Sequence, residues 1–192
     1  MKDATMFQGL IKWFNRNERE VSLNTEAFSE FYDQTYLSVF RYLYGLHGGP
    51  VEDVEDLTAE TFTRAWKARQ TFTGELNSNA VGWLLRIARR LVIDRYRKEE
   101  NKNQDETDLP DDFPTLGPTP EHLLIQDERY QILWGLLQDL SGRQREILTL
   151  RYFLDWRVNQ IAGYLQIPEN TVSVTIHRTL AQLQHEWPTD KE

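Results

Sequence analysis

One stretch, residues 82–98, constrains the fold of this chain more than any other, because it carries two different faces on one predicted helix. At 100° per residue, an apolar stripe forms along one side, as a core-facing helix requires. The stripe consists of Leu84, Leu85, Ile87, Ala88, Leu91 and Val92. The opposite side carries Arg86, Arg90 and Arg97, with Trp83 beside them. The helix therefore has one face to bury in a core and a second, cationic face to offer to a partner.

The cationic face points to nucleic acid. Residues 82–98 hold six Arg or Lys and one acid, Asp94, in a chain whose net charge is −8. A solvated outer face is the simplest interpretation of a basic helix in an acidic protein. A tryptophan beside guanidinium groups indicates more, because the indole offers a plane for an unpaired base while the cations hold phosphates. We therefore interpret this face as a nucleic-acid surface.

The overall composition sets limits that are compatible with this interpretation. Residues 99–128 contain ten acids and one lysine, which accounts for the whole of the net negative charge, so DNA binding elsewhere is not excluded. The length of 192 residues suits one domain or two small ones. The absence of cysteine excludes disulfides and thiolate metal sites and fits a reducing compartment. No run reaches the roughly 18 apolar residues of a membrane span, so we expect a cytoplasmic protein without membrane insertion.

Helical spacing and stop signals predict the remaining elements. We expect helices over residues 25–46 and 51–70, with Pro50 as the first residue of the second. Residues 103–120 have no apolar period and contain four of the seven prolines among acids, which predicts a linker. Further helices are predicted from Thr119 and Pro120, from the Ser141 and Gln144 capping box, over 156–165 after Asp155, and from Pro168.

The predicted fold class is all-α, with two small helical domains joined by an acidic, proline-containing linker. The predicted divisions are an N-terminal arm over 1–24, a first domain over 25–102, the linker over 103–120 and a second domain over 121–187.

The second domain has the spacing of a helix-turn-helix. Two short helices are predicted to pack across a turn at residues 166–167, so that the final helix can lie in a DNA major groove. Its predicted inner stripe is Val172, Ile176, Leu180 and Leu183. Its predicted outer face is Asn170, Ser173, Val174, His177, Arg178 and His185.

Several ordered strings make the chain resemble a known family. In the first domain the strings are residues 52–57, 60–62 and 65–66, and then residues 82–84 and 87–89 with Asp94. In the second domain the strings are Leu140 with residues 143–146 and 150–152, and then residues 170–172 with residues 176–178. With these strings, the chain resembles the bacterial RNA polymerase sigma factors of the extracytoplasmic-function (ECF) class of the sigma-70 family.

The resemblance implies a non-catalytic transcription initiation factor that directs RNA polymerase core to promoters. It implies polymerase docking by Asp53, Asp56, Leu57 and Glu60. It implies recognition and melting of the minus-ten element by Phe72, Asn77, Asn79, Trp83, Arg86, Arg90 and Arg97. It implies reading of the minus-thirty-five element by Asn170, Ser173, Val174, His177 and Arg178. Promoter DNA and polymerase core are the implied partners, and an anti-sigma factor is a further candidate.

One departure from the family pattern concerns the final helix. Family members usually have Lys or Arg where this chain has Ser173 and Thr175. A lost phosphate contact lowers the affinity for all DNA sequences alike. The second domain is therefore expected to hold DNA weakly or to prefer an unusual element.

Two other classes of function would make different demands on the sequence. A stand-alone helix-turn-helix regulator would bind a duplex operator without polymerase, and would not need the acidic face of the second helix. A metal-dependent hydrolase using Asp53, Asp56 and Glu60 would need a matching histidine or second acidic helix, or a nucleophile with a base, and the sequence offers none of these. His177 and His185 lack supporting carboxylates. We therefore expect no enzymatic activity, no cofactor and no metal.

Overall fold

A computed structural model describes residues 25–48, 50–72, 80–100 and 128–188 of the chain. The first domain contains α1 (Thr25–His47), α2 (Val51–Ala68) with a 3-10 turn over Arg69–Thr71, and α3 (Ala80–Glu100). The second contains α4 (Glu128–Gln138), α5 (Gly142–Leu148) continued by a π-helical segment (Thr149–Phe153), α6 (Val158–Leu165) and α7 (Glu169–Glu186). All regular structure in these ranges is helical, which confirms the all-α prediction. The predicted arm, the linker and the helix start at residues 119–120 lie outside the described residues.

Helices α1, α2 and α3 pack against one another around an apolar core, which continues into the second domain through residues such as Ile147, Leu150 and Trp156. The stripe predicted for α3 is confirmed, since all of its members except Ile87 are buried and Ile87 is half-buried against the same core. Helix α2 buries one side as well, which includes Val54, Leu57, Phe62 and Ala65. Edge-to-face aromatic pairs join α1 to α2, with ring centroids 5.0 Å apart for Phe28 and Trp66 and 4.6 Å apart for Tyr32 and Phe62. This packing holds α2 and α3 with their polar faces outward.

The helix ends agree with the sequence signals in part. Ser141 caps α5 in a capping box with Gln144, as predicted. Pro50 occupies the cap position of α2 and not its first helical position. The prediction that Asp155 precedes a helix starting at residue 156 is wrong, because α6 begins at Val158. Asp155 instead takes a positive φ of 55°, while the Trp156 N–H donates to the Leu150 carbonyl at 3.0 Å and so ends the preceding helix.

The last helix, α7, buries a slightly different stripe from the one predicted. Val172 and Ile176 are buried as expected, but Leu180 is 39% exposed and Thr179 is fully buried. Positions 172, 176, 179 and 183 follow steps of four, three and four residues, which keep one side of a helix in line. Leu180 lies about 70° away from the centre of that line and is exposed, so its assignment to the inner stripe was wrong.

The two domains contact each other directly. Helix α1 packs on α5 and on the π-helical segment. At Gly45 of α1, a Cβ atom would lie 2.6 Å from the Oγ1 and Cγ2 atoms of Thr149. The Trp134 indole N–H of α4 donates to the Gly48 carbonyl at 3.1 Å. The second domain is therefore seated against the C-terminal end of α1.

Candidate nucleic-acid and polymerase interfaces

The cationic face of α3 is open to solvent along most of its length. The apolar core holds the opposite side of the helix, so the side chains of Arg86 and Arg90 are exposed, and those of Arg97 and Trp83 are half-buried. Cations and an indole on one helix face can contact phosphates and one face of a base at the same time. The structure thus brings together the four predicted α3 residues of the minus-ten set on one face.

Trp83 has a fixed backing. Its ring centroid lies 5.0 Å from that of Phe72, with the ring planes 49° apart. Phe72 follows the 3-10 turn after α2 and is only 7% exposed, so it belongs to the core. The implied role of Phe72 near the unstacked base stays a prediction, and the ring itself is covered by neighbours. Its observed position is behind Trp83, where it limits the movement of the indole.

Asn77 and Asn79, the two other residues predicted for the minus-ten element, lie outside the described residues. Helix α3 itself begins at Ala80, two residues before the stretch 82–98 for which a helix was predicted.

The carboxylates on the acidic face of α2 differ in their exposure and in their hydrogen-bond partners. Asp56 and Glu60 are exposed, and Glu60 accepts a hydrogen bond from Arg64 Nε at 2.8 Å. Asp53 is partly covered, and its Oδ1 atom accepts from Arg95 Nη2 of α3 at 2.5 Å. Leu57, predicted to lie near the docking surface, is 5% exposed and packs inward. It can support the acidic face from below, but its side chain does not form part of the surface.

His47 lies beside this acidic face and was not singled out from the sequence. Its side chain is 1% exposed, and its Nε2 atom is 4.0 Å from Asp53 Oδ2. Burial, and after it the positive charge of Arg95, lower the pKa of His47 to about 4, while Asp53 acts in the opposite direction. The imidazole is therefore neutral at physiological pH. The sequence feature that could have indicated this role is the position of His47 at the end of α1, which brings it next to the start of α2.

The helix-turn-helix geometry is present in the second domain. Helix α6 ends at Gln166, which takes the left-handed conformation with a φ of 55°. The Ile167 N–H then donates to the Ala162 carbonyl at 3.1 Å, which closes the turn before α7. On α7, four of the five residues predicted to face DNA are exposed and Ser173 is half-buried. The exposed ones are Asn170, Val174, His177 and Arg178.

A polar cluster between the domains was not predicted from the sequence. The Glu146 carboxylate of α5 is fully buried; it accepts from the Tyr42 hydroxyl at 2.6 Å and from Arg89 Nε at 3.0 and 3.1 Å. The Tyr164 hydroxyl lies 3.2 Å from that of Tyr42. Burial, then the nearby carboxylate, raises the pKa of both tyrosines. For Arg89, burial acts to lower the pKa, but Glu146 outweighs it, and the net shift is upward.

Arg145, the neighbour of Glu146, is also buried. It is 3% exposed, and its guanidinium donates to the carbonyls of Leu137, Gln138, Leu140 and Leu46. Three of these carbonyls surround the end of α4, and Leu46 belongs to α1. Burial lowers the pKa of Arg145. One buried cation thus ties the helix preceding α5 to the first domain.

The described residues contain no group of three histidine or acidic side chains placed to hold a metal ion. Within the same ranges, no helix is both long enough and apolar enough to cross a membrane.

Two sequence models of protein families match the chain. The model described as Sigma-70 region 2 matches residues 31–102, and the model described as Sigma-70, region 4 matches residues 130–183. These segments correspond to the α1–α3 unit and to the unit that carries the helix-turn-helix.

Curated relatives and solved structures agree with these matches. The ECF RNA polymerase sigma factor SigK of Mycolicibacterium vanbaalenii is 30% identical over 74% of this chain and 72% of its own length. BldN of Streptomyces coelicolor is 30% identical over 90% of this chain, which spans 65% of BldN. SigX of Bacillus subtilis is 28% identical over 83% of this chain and 82% of its length.

The fold is also shared with solved sigma factors. RpoE of Bartonella quintana, in complex with the anti-sigma factor NepR, superposes with a TM-score of 0.62 and 19% identity, over 87% of this chain and 100% of that chain. CnrH, in complex with the cytosolic domain of CnrY, gives a TM-score of 0.58 and 21% identity, over 92% of this chain and 93% of that chain.

Proposed function

We propose that the chain, which belongs to the ECF class of the sigma-70 family of transcription initiation factors, uses three separate surfaces for three contacts. The face of α2 binds RNA polymerase core, the face of α3 recognises and melts the minus-ten element, and α7 reads the minus-thirty-five element. The observation that carries the proposal is the single face of α3 on which Trp83 stands beside Arg86 and Arg90, with the core on the other side. Work on promoters with polymerase would place the protein in the cytoplasm.

This face could melt DNA by binding energy alone, without a catalytic step. Removing a base from the stack costs a few kcal/mol, and stacking on an aromatic side chain returns about 1–3 kcal/mol per base. Trp83 would supply that stacking, held from behind by Phe72. Arg86, Arg90 and Arg97 would hold the phosphates of the opened strand. Asn77 and Asn79, which precede α3 in the chain, remain candidates for contacts with the base edge.

Polymerase binding is proposed for the acidic face, with unequal shares for its residues. Asp56 and Glu60 are exposed and can meet a basic surface on the core enzyme directly. Asp53 would have to exchange Arg95 for a polymerase cation. Leu57 would act from beneath, by holding the helix surface in place. An anti-sigma factor is a further candidate partner, since the proteins of both solved structures are bound to such factors.

The second domain would read the minus-thirty-five element through α7. Asn170, Val174, His177 and Arg178 are exposed on the helix that follows the turn, and Ser173 lies between them. Base-edge contacts supply specificity, while cations supply most of the affinity. With Ser173 and Thr175 in place of cations, we expect this domain to contribute specificity with modest affinity.

Transcription with defined components tests these assignments. Mapping RNA 5′ ends after overexpression supplies a cognate promoter, and the purified chain is then assayed with core polymerase. Asp56→Lys with Glu60→Lys should abolish co-elution with core, while Glu30→Lys, an exposed acid on α1, should not. Trp83→Ala should lower open-complex formation by about 5- to 150-fold, the equivalent of one stacked base, and Trp83→Phe should restore part of it.

Two results would contradict the proposal. Normal initiation by both the charge-reversed and the Trp83→Ala proteins would remove its basis. Tight binding of the chain to duplex DNA without core polymerase, unaffected by the α2 charge reversal, would instead favour a stand-alone regulator. The family match over residues 31–102 speaks against that alternative, because such a regulator has no need of this domain.

A further inference from the structure

One side of α1 carries a continuous apolar row that is only partly covered. Ring centroids in the row are 6.3 Å apart for Tyr36 and Phe40 and 6.2 Å apart for Phe40 and Tyr44, and each pair is stacked. The three rings are half-buried, and Leu37 beside them is 49% exposed. We name Tyr36, Leu37, Phe40 and Tyr44 the α1 strip. Single exposed apolar residues are ordinary, but a contiguous apolar patch indicates an interaction site.

The C-terminal end of the α1 strip opens into a cleft of about 520 Å³. Phe40 and Tyr44 line it from α1, and Tyr152 and Phe153 line it from the π-helical segment. Tyr152 is 52% exposed. Pockets of about 300–1,000 Å³ hold drug-sized ligands, so this cleft has room for a large side chain. The strip and the cleft together form one apolar surface along the second half of α1.

The predicted N-terminal arm, residues 1–24, contains a segment with a complementary pattern. Its apolar residues recur at steps of three, one and three, which places them on one side of a helix. They are Phe7, Leu10, Ile11 and Phe14. At the same spacing Lys12 falls on the far side. We name residues 7–14 the arm segment. An amphipathic helix needs a second apolar surface on which to bury its apolar side.

The lengths of the arm segment and of the α1 strip agree. As a helix, residues 7–14 would be about 11 Å long, and the strip from Tyr36 to Tyr44 is about 12 Å long at the same rise per residue. Residues 15–24 join the arm segment to α1 and can extend about 33 Å. Tyr36 lies only about 17 Å from the start of α1. The arm segment can therefore lie antiparallel on the strip, with Phe7 near the cleft.

Charge favours the same arrangement. The first half of α1 has three exposed acids, Glu26, Glu30 and Asp33. Residues 12–19 of the arm carry three cations and one acid. In an antiparallel arrangement these residues pass the acidic half of α1 on their way to Thr25, so opposite charges meet. An anionic lipid surface, the other common partner of an amphipathic basic helix, would be repelled by the same three acids.

We propose that the N-terminal arm docks on its own chain, with residues 7–14 as a helix that lies antiparallel on the α1 strip and ends at the cleft. A short tether gives an effective concentration of about 1 mM, so a contact with a dissociation constant of about 0.1 mM would be about 90% formed. A second copy of the chain at about 1 μM would occupy the same surface to only about 1%. Promoter contacts play no part in this docking, so it stands or falls apart from the proposed function.

Distance measurements between spin labels test the docking in the full chain. The chain contains no cysteine, so Gln8→Cys in the arm segment and Glu52→Cys, at an exposed position of α2, give one labelled pair. Helix α2 begins three residues after the last residue of α1 that the structure describes, so docking brings position 8 close to position 52. The pair should give one narrow, short distance, which is the same at 5 and at 100 μM protein.

A matched pair of leucine substitutions shows whether the α1 strip is the docking surface. Leu37→Asp should convert the narrow distance into a long, broad distribution. Leu133→Asp, at a leucine of α4 that is 38% exposed, should leave the distance unchanged. Leu10→Asp should release the arm in the same way as Leu37→Asp. It changes only the arm and so guards against a folding defect caused by a substitution within α1.

Hydrogen exchange of the arm amides gives the occupancy. Docking at about 90% should slow the exchange of residues 7–14 by about tenfold, and both Leu37→Asp and Leu10→Asp should abolish this protection. A broad distribution in the parent pair, or a narrow one that survives both substitutions, would overturn the proposal. A narrow distance only at 100 μM would assign the strip to a second copy. Arm protection that appears only with vesicles of phosphatidylglycerol and phosphatidylcholine would assign the arm to a membrane surface, and either result also overturns the docking.

Discussion

Acidification should destabilise the fold through His47, in addition to any effect of the carboxylates. Burial, and after it the charge of Arg95, hold the pKa of this imidazole at about 4, against 6.5 in an unfolded chain. Below pH 6.5 this histidine is protonated in the unfolded chain but stays neutral in the folded chain. Its contribution to the free energy of unfolding is therefore fully present above pH 6.5 and is lost as the pH falls towards 4. Between pH 7.5 and 5, this linkage removes about 2 kcal/mol from the free energy of unfolding.

Denaturant titrations at pH 7.5 and 5 measure this loss. Carboxylates also titrate in this range, so the comparison is made with His47→Phe, which keeps a ring beside Tyr96 and carries no titrating group. The pH-dependent loss in the unsubstituted chain should exceed that of His47→Phe by about 2 kcal/mol. Equal losses in the unsubstituted chain and His47→Phe would refute the reasoning.

Three further substitutions should change stability by amounts that denaturant unfolding can resolve. Ser141→Ala removes the capping box with Gln144 and should cost about 1 kcal/mol. Arg145→Met leaves four carbonyls, including that of Leu46, without their charged donor and should cost about 3–5 kcal/mol; a loss below 1 kcal/mol would contradict its structural role. Gln166→Gly should stabilise the fold by about 1 kcal/mol, because glycine tolerates the left-handed turn without strain; a destabilised protein would show that the Gln166 side chain matters more than the backbone.

The sequence was sufficient where a local pattern decides the outcome. The period of 3.6 residues placed the apolar stripe of α3 correctly, and the cationic face followed from it. The capping box at Ser141 was visible because both of its members lie within one turn. The turn before α7 was found from spacing, although nothing in the residue type of Gln166 announces a positive φ. Local chemistry thus fixed where helices lie and which side they bury.

The sequence was insufficient where distant segments decide. Glu146 and Arg145 look like the polar positions of a surface helix, and their burial depends on Tyr42, Arg89 and Leu46, which are more than 50 residues away in the chain. The family resemblance implied a minus-ten role for Phe72, but its burial behind Trp83 depends on packing that no local pattern shows. The same reason applies to Leu180, since the partner helices of α7 decide which of two adjacent residues faces inward.

The pairing of Asp53 with Arg95 joins the two proposed working surfaces of the first domain. Asp53 belongs to the polymerase-facing side of α2, and Arg95 lies on α3, the helix that carries the DNA face. A polymerase cation that takes Asp53 would release Arg95, and a phosphate that takes Arg95 would release Asp53. Each event lowers the cost of the other, so binding of polymerase and of DNA should favour one another through this pair. Because the pair is about one-third exposed, solvent screens it and the coupling is small.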